Sequence, residues 1–180
     1  MDKKPMITQL SNTRTSNYLA LKNYILNNED FQWSWLAETT PDREENGYDN
    51  FGFYVHSFLD RPDIINGCYS RIASPLIVDA HNVVIEILIA NNISPKVIYR
   101  MSANCVHPTA TGRYSVPHVD HEFPHKNLLI YLTDPQGGET VVEEEKYLGK
   151  EDDVIIWEEG MHYHRPPSAG RRVVLITTFL

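Results

Sequence analysis

The sequence predicts a mainly β fold with flanking helices, closed as a double-stranded β-helix (jelly roll). Two observations carry this. Segments with helical spacing occur only before about residue 93, and from Val97 onward the chain breaks into short apolar stretches separated by turn residues. Helices first and strands later, with turn signals throughout, fit a double layer of β-structure buttressed by helices. A chain of 180 residues suits one domain with a substantial core. That domain would span 1–180, with a support region of about 15–93 and a core jelly roll of about 97–180.

The elements follow in order. Residues 1–14 are polar and expected to be loose. Residues 15–28 predict a helix, with Tyr18, Leu21 and Ile25 at helical spacing. Phe31 to Leu36 and Phe51 to His56 are aromatic-rich and read as strands. The polar loop Thr39 to Asn50, with Pro41 and Asn46-Gly47, separates them and is long enough to move. Arg61-Pro62-Asp63 opens a second helix. Ser74-Pro75 opens a third, as a serine cap followed by proline at the first helical position. It should run to about Asn91, before Ser94-Pro95, and its wide apolar face implies packing across the back of a sheet. The following strands include Asn127–Thr133, Val154–Trp157 and the alternating run Val173 to Phe179.

Composition narrows the function. Apolar residues make up 42% and charged residues 22%, ordinary values for a globular protein. A net charge of −8 disfavours a sequence-independent grip on nucleic acid, which needs clustered Lys and Arg. No apolar run reaches membrane-spanning length, and Met1-Asp-Lys-Lys-Pro has no apolar segment of a signal peptide behind its charges. With only Cys68 and Cys105, no disulfide framework is expected. A reducing cytoplasm suits those thiols and ferrous iron alike.

The chemistry concentrates in His118-Val119-Asp120. On an extended stretch, positions i and i+2 share a face, so both side chains can bind one metal with Val119 turned away. A third ligand must come from a distant strand. His162 lies just past Val154–Trp157; His164, two residues on, faces the same side. Two imidazoles and a carboxylate form the facial triad of non-heme Fe(II) oxygenases, with positions left open for a bidentate cosubstrate and dioxygen. Arg172, at the head of the next strand, is a fixed cation able to hold a carboxylate bidentately. Arg171 beside it points to the opposite face, so only one of the two can enter the barrel.

The ordered set His118-Val-Asp120, Asn127-Leu-Leu-Ile-Tyr131-Leu-Thr, Gly137-Gly-Glu-Thr140, His162 and Pro166-Pro-Ser-Ala-Gly170-Arg-Arg172 resembles the 2-oxoglutarate/Fe(II)-dependent dioxygenases, within them the prolyl-4-hydroxylase-like group. The resemblance covers about 97–180. The N-terminal half, with Phe31-Gln-Trp33, Phe53-Tyr-Val-His56 and Arg100-Met-Ser-Ala-Asn104, is more loosely similar to phage-type members. The cytoplasm would then be the host's. The resemblance implies the jelly-roll fold, His162 as third ligand, and Arg172 and Tyr131 on the distal carboxylate of 2-oxoglutarate. His164 is left as a supporting residue or a substrate contact.

Arg100, Ser102 and Asn104 alternate on an expected inner strand, where Asn104 could meet the cosubstrate; Arg100 fits that role less well. His107, His121 and His125 match no role and read as loop residues, although His121 could shape the entrance. Thr178 stands where many family members carry tryptophan, and Thr133 where asparagine is common. The implied activity couples oxidative decarboxylation of 2-oxoglutarate to hydroxylation of a C–H bond in a peptidyl (prolyl-like) or small amino-acid-like substrate. The alternatives are a cupin-like metal-binding protein without 2-oxoglutarate and a non-catalytic jelly-roll binding module.

Overall fold

The computed structural model describes residues 6–41, 45–63 and 69–180. In the first half, strand β1 is Thr8–Leu10, helix α1 Ser16–Asn27, β2 Ser34–Leu36, β3 Phe53–Leu59 and helix α2 Ile77–Ala90. The second half contains β4 (Ile98–Val106), β5 (Lys126–Tyr131), β6 (Gln136–Gly137), β7 (Thr140–Val142) and β8 (Glu145–Tyr147). It closes with β9 (Val154–Glu158), β10 (His162–His164), β11 (Pro167–Ala169) and β12 (Arg172–Phe179).

A seven-stranded sheet runs β1-β9-β5-β12-β4-β3-β2, and every pairing in it is antiparallel. A three-stranded sheet, β10-β7-β8, and the pair β11-β6 complete the second layer. This is the jelly roll, mainly β with flanking helices. β2 and β3, from the expected support region, extend the same sheet as β4, so the large sheet crosses the boundary drawn at about residue 93.

The two-residue period of the central strands decides what faces where. On β4, Met101, Ala103 and Cys105 turn outward; on β5, Leu128 and Ile130; on β12, Val173 and Leu175. These form one core with Ala80, Val83, Val84, Ile87 and Leu88 of α2 and Tyr18, Leu21 and Ile25 of α1. The helices therefore lie across the back of the large sheet, as the wide apolar face of α2 requires. The opposite set, Leu129, Tyr131, Val174, Ile155 and Trp157, packs toward the small sheet with Val142. Polar side chains on this inner face contribute to the site.

Several elements differ from expectation at their ends. Thr8–Leu10 is not loose: it pairs with β9 as an edge strand. α2 begins at Ile77, and Ser74 closes the turn before it, its hydroxyl accepting from Leu76 N at 3.2 Å. His56 Nε2 lies 2.9 Å from the same hydroxyl, so Ser74 serves strand and turn together. Arg61–Asp63 is not helical, and the rest of the helix expected there falls outside the described residues. Cys105 is buried and free; Cys68 also lies outside the described residues. No helix among the described residues is long and apolar enough to cross a membrane.

Candidate active site

A cavity of about 510 Å³ opens between the two sheets, a size suited to small-molecule and cofactor sites. His118, Asp120 and His162 line it, with one ligand atom from each lying within 4.8 Å of the others. His118 is not in a regular strand. It sits in the long connection between β4 and β5 and makes a single bridge to His162, with backbone bonds of 3.0 and 2.9 Å in the two directions. That bridge brings residues 44 positions apart side by side, with ring centroids at 4.6 Å. Val119 between them is 42% exposed and also lines the cavity, so it is not turned away as expected, yet His118 and Asp120 still bring their ligand atoms together without a strand.

Both imidazoles are fixed in the same way. His118 Nδ1 lies 3.1 Å from the Val116 carbonyl, and His162 Nδ1 lies 3.1 Å from the Gly160 carbonyl. Donation from Nδ1 puts the lone pair on Nε2, the tautomer a metal needs. Burial, then His162, pushes the His118 imidazole down to about 4 despite Asp120 nearby, which keeps it neutral near pH 7.

Asp120 is held on both sides. Its Oδ1 accepts from Arg61 at 2.6 Å and from Arg100 at 2.8 Å. Its Oδ2 lies 3.4 Å from His162 Nε2. With the Asn127 amide turned to suit its neighbours, that amide donates to Oδ2 at 3.0 Å and accepts from Trp157 Nε1 at 3.1 Å. Burial pushes the Asp120 carboxyl up, but Arg100, His162 and Arg61 outweigh it and hold the group well below the usual carboxylate range.

Arg172 reaches the cavity from the head of β12 and is 3% exposed. Its Nε donates to the Gly138 carbonyl at 3.1 Å and its Nη2 to Thr140 Oγ1 at 2.8 Å. Gly138 has φ +78°, and a Cβ there would stand 3.2 Å from Arg172 Cδ, so the Gly-Gly turn lets the arginine stem pass. Arg171 points the other way and donates to the Leu26 carbonyl at the end of α1.

Tyr131 lies beneath the arginine, its ring 5.3 Å from the guanidinium carbon. It is fully buried, and its hydroxyl meets Thr140 Oγ1 at 2.7 Å. Thr140, not Tyr131, lines the cavity. Gly149 lies flat on the Tyr131 ring, where a Cβ would come within 2.2 Å of Cζ. Asn104 lines the cavity as expected, with Ser102 Oγ donating to its side-chain oxygen at 3.2 Å. His164 also lines it; burial, then Arg172, pushes its imidazole well below the usual histidine range.

The structure thus brings together His118, Asp120, His162, Arg172 and Asn104, and sets Tyr131 one residue behind them. Sequence reasoning missed Arg61, Asn127 and Thr140 and undervalued Arg100, which binds Asp120. The strand period offered a signal for Asn127, which shares a face of β5 with Tyr131. It offered none for Arg61. His121 and His125 do lie on a connection, but both are buried. His121 Nε2 lies 2.7 Å from Thr178 Oγ1, and its ring stacks on Phe123. These side chains pack where a bulkier residue at Thr178 would intrude.

Solved structures with a similar architecture include 2OG-Fe(II) oxygenases and prolyl hydroxylases. The chain superposes on an oxidoreductase of the 2OG-Fe(II) oxygenase family from Burkholderia pseudomallei with a TM-score of 0.74 and 15% identity, covering 97% of this chain and 84% of that one. The chain shares the oxygenase fold. A prolyl hydroxylase from Trichoplax adhaerens, solved with a hypoxia inducible factor oxygen degradation domain peptide fragment, matches at TM-score 0.57 and 13% identity, over 97% of this chain and 77% of that one. The epimerase SnoN, in complex with Fe3+, alpha ketoglutarate and nogalamycin RO, matches at 0.55 and 10%, over 97% and 78%. No protein-family model matches the sequence, and no curated protein does.

Proposed function

We propose that this 2OG-oxygenase fold is a 2-oxoglutarate- and Fe(II)-dependent dioxygenase of the prolyl-4-hydroxylase-like group. Its reaction is hydroxylation of a C–H bond in a peptidyl, prolyl-like side chain or a small amino-acid-like substrate. One observation carries the reading: a two-histidine, one-carboxylate donor set and a buried arginine line the same cavity. A cupin-like metal site has no need of Arg172 in that position, and a simple binding module has no need of the donor set.

The donor set fits ferrous iron in kind and number. Iron bound with 2-oxoglutarate and dioxygen supplies the oxidative decarboxylation to succinate and CO2 and the insertion of oxygen into the C–H bond. The chain's own groups hold and orient. His118 and His162 offer Nε2 because each Nδ1 is engaged by backbone. Asp120 offers Oδ2, since two arginines occupy Oδ1. Arg172 receives the distal carboxylate, with Thr140 and Tyr131 fixing its fork. Asn104 is positioned to meet the cosubstrate from β4. Leu36 to Pro41, Phe53 and Tyr163 wall the outer part of the cavity, where the substrate enters.

Two fold relatives are compatible with a peptide or a small-molecule substrate in general: one was solved with a peptide and one with a small molecule. Anaerobic addition of Fe(II) and then 2-oxoglutarate tests the reading. The expected result is a visible metal-to-ligand charge-transfer band, followed in air by succinate. Asp120→Ala should lose band and succinate together. Full succinate production by that variant would remove Asp120 from the ligand set.

A further inference from the structure

We propose that His164 is a cosubstrate-binding residue, whose Nε2–H donates a hydrogen bond to the distal carboxylate of 2-oxoglutarate beside Arg172. This rests on the dioxygenase reading above and adds a residue to it.

One atom of His164 is orphaned. His164 Nε2 is shielded from solvent and has no hydrogen-bond partner among the described residues, yet the side chain lines the cavity. Buried polar groups are nearly always paired, because leaving one unpaired forfeits its hydration. A buried, unpaired group on a side chain that lines a binding cavity can be completed by what binds there.

Ser115 sets the tautomer of this ring. Ser115 is fully buried, and its Oγ accepts from the His164 backbone N–H at 3.0 Å. Its own hydroxyl hydrogen then finds its acceptor in His164 Nδ1, 3.3 Å away. Nδ1 is thereby the accepting nitrogen, and the ring proton sits on Nε2. The cavity is offered a donor, which suits a carboxylate oxygen. Phe51 packs edge-on against the ring at 5.4 Å and holds its plane.

Position places His164 beside the clamp. His162 and His164 share one face of β10, one strand repeat apart, about 6.8 Å. His164 is paired in register with Thr140, the residue that binds the Arg172 fork. A five-carbon dicarboxylate running from the triad toward Arg172 thus ends beside His164. Two of the five guanidinium N–H groups of Arg172 are already engaged by Gly138 and Thr140, so an independent donor helps to complete the distal carboxylate. His164 is not part of the group that could hold a metal.

The test uses the full chain loaded with Fe(II) without oxygen, read by the charge-transfer band. Two probes are titrated: 2-oxoglutarate, and 2-oxopentanoate, which has the same chain length and no distal carboxylate. His164→Leu should weaken 2-oxoglutarate roughly ten- to a hundredfold, the loss of one hydrogen bond to a charged group. Its Fe(II) stoichiometry and its affinity for 2-oxopentanoate should not change. His164→Gln, which keeps a donor, should recover part of the loss. Ser115→Ala frees Nδ1 to carry the proton and should weaken 2-oxoglutarate selectively without altering the His164 side chain, so the inference stays testable if His164→Leu folds poorly. Equal 2-oxoglutarate affinity in wild type and His164→Leu overturns the inference, as does an equal loss for both probes or a loss of Fe(II). No band in the unsubstituted protein would overturn the dioxygenase reading itself, an outcome distinct from these.

Discussion

Arg172 and Arg171 are adjacent in the chain and do unrelated work. Arg172 is buried against Gly138 and Thr140 in the cavity, while Arg171 closes the end of α1 through the Leu26 carbonyl. Losing a guanidinium that pairs with a carboxylate in a dry site strands the partner charge, so Arg172→Ala should weaken 2-oxoglutarate by about two to four orders of magnitude. Arg172→Lys should fall between, because a point charge replaces a planar fork. Arg171→Ala should leave that affinity alone and lower stability by about 1 kcal/mol. Anaerobic titration of the three variants, with a melt of each, checks this; a large affinity loss in Arg171→Ala alone would move the clamp one residue back. This pair was legible because the strand period assigns neighbours to opposite faces and the resemblance of Gly170-Arg-Arg172 selects Arg172. The partners of Asp120 were not. Arg61 comes from an irregular segment 59 positions upstream, and a contact made across the fold leaves no local trace. Asn127 was half visible: the Asn-Leu-Leu-Ile-Tyr run places it on the Tyr131 face, but only the fold puts Asp120 against it.

Helix α1 is tied to the turn before β9 by charge as well as by packing. Asp152 Oδ1 accepts from Tyr18 and from Lys22 at 2.5 Å each, and Arg14 reaches Oδ2 at 3.0 Å. Burial pushes the Asp152 carboxyl up, but Lys22, Tyr18 and Arg14 outweigh it and the group ends below its ordinary value. A depressed carboxylate contributes stability above its unfolded pKa and loses it as pH falls through the folded one. Asp152→Asn should therefore cost about 1–2 kcal/mol at pH 7 and much less well below pH 4, near the ordinary carboxylate value. Asparagine also tolerates the φ of +71° at this position, so the change isolates charge from backbone strain. Denaturant melts at pH 7 and pH 3 decide it, and an equal cost at both would mean that charge is not the cause. At this scale the longest elements were the most legible, since α1, α2, β3, β4, β5 and β12 each run through enough residues to show a period. β1, β6, β10 and β11 hold two or three residues each and show none; their pairing comes from the sheet they join. The helix expected from Arg61 rested on a proline boundary signal alone, without any apolar repeat behind it.

The whole molecule sets an acidic surface around a cationic cavity. Its net charge is −8, yet Arg61, Arg100 and Arg172 line the cavity against Asp120 and the exposed Glu38 at its rim. Arg61 and Arg100 hold the Asp120 carboxylate in place before any cation arrives, which keeps the donor set assembled. The donors also come from separate parts of the fold: His118 and Asp120 from the connection between β4 and β5, His162 from the small sheet. A divalent cation bound to all three clasps that connection to β10 and binds only the folded chain. At a hundredfold excess over its Kd such a ligand adds about 2.7 kcal/mol to stability. For a chain of this size that corresponds to a rise in Tm of about 5–10 °C. Co(II), Ni(II) and Zn(II) should act in the same direction as Fe(II), since imidazole and carboxylate donors accept them all, and later metals in the series displace iron in an aerobic preparation. A chelator should reverse the shift. Asp120→Ala should abolish it, while hydrogen exchange should show the metal slowing residues 107–125 and 160–164 ahead of the helices. A shift of the same size in Asp120→Ala would place the stabilising ion elsewhere, and protection gained evenly over the chain would mean that the metal does not act as a clasp between these two segments.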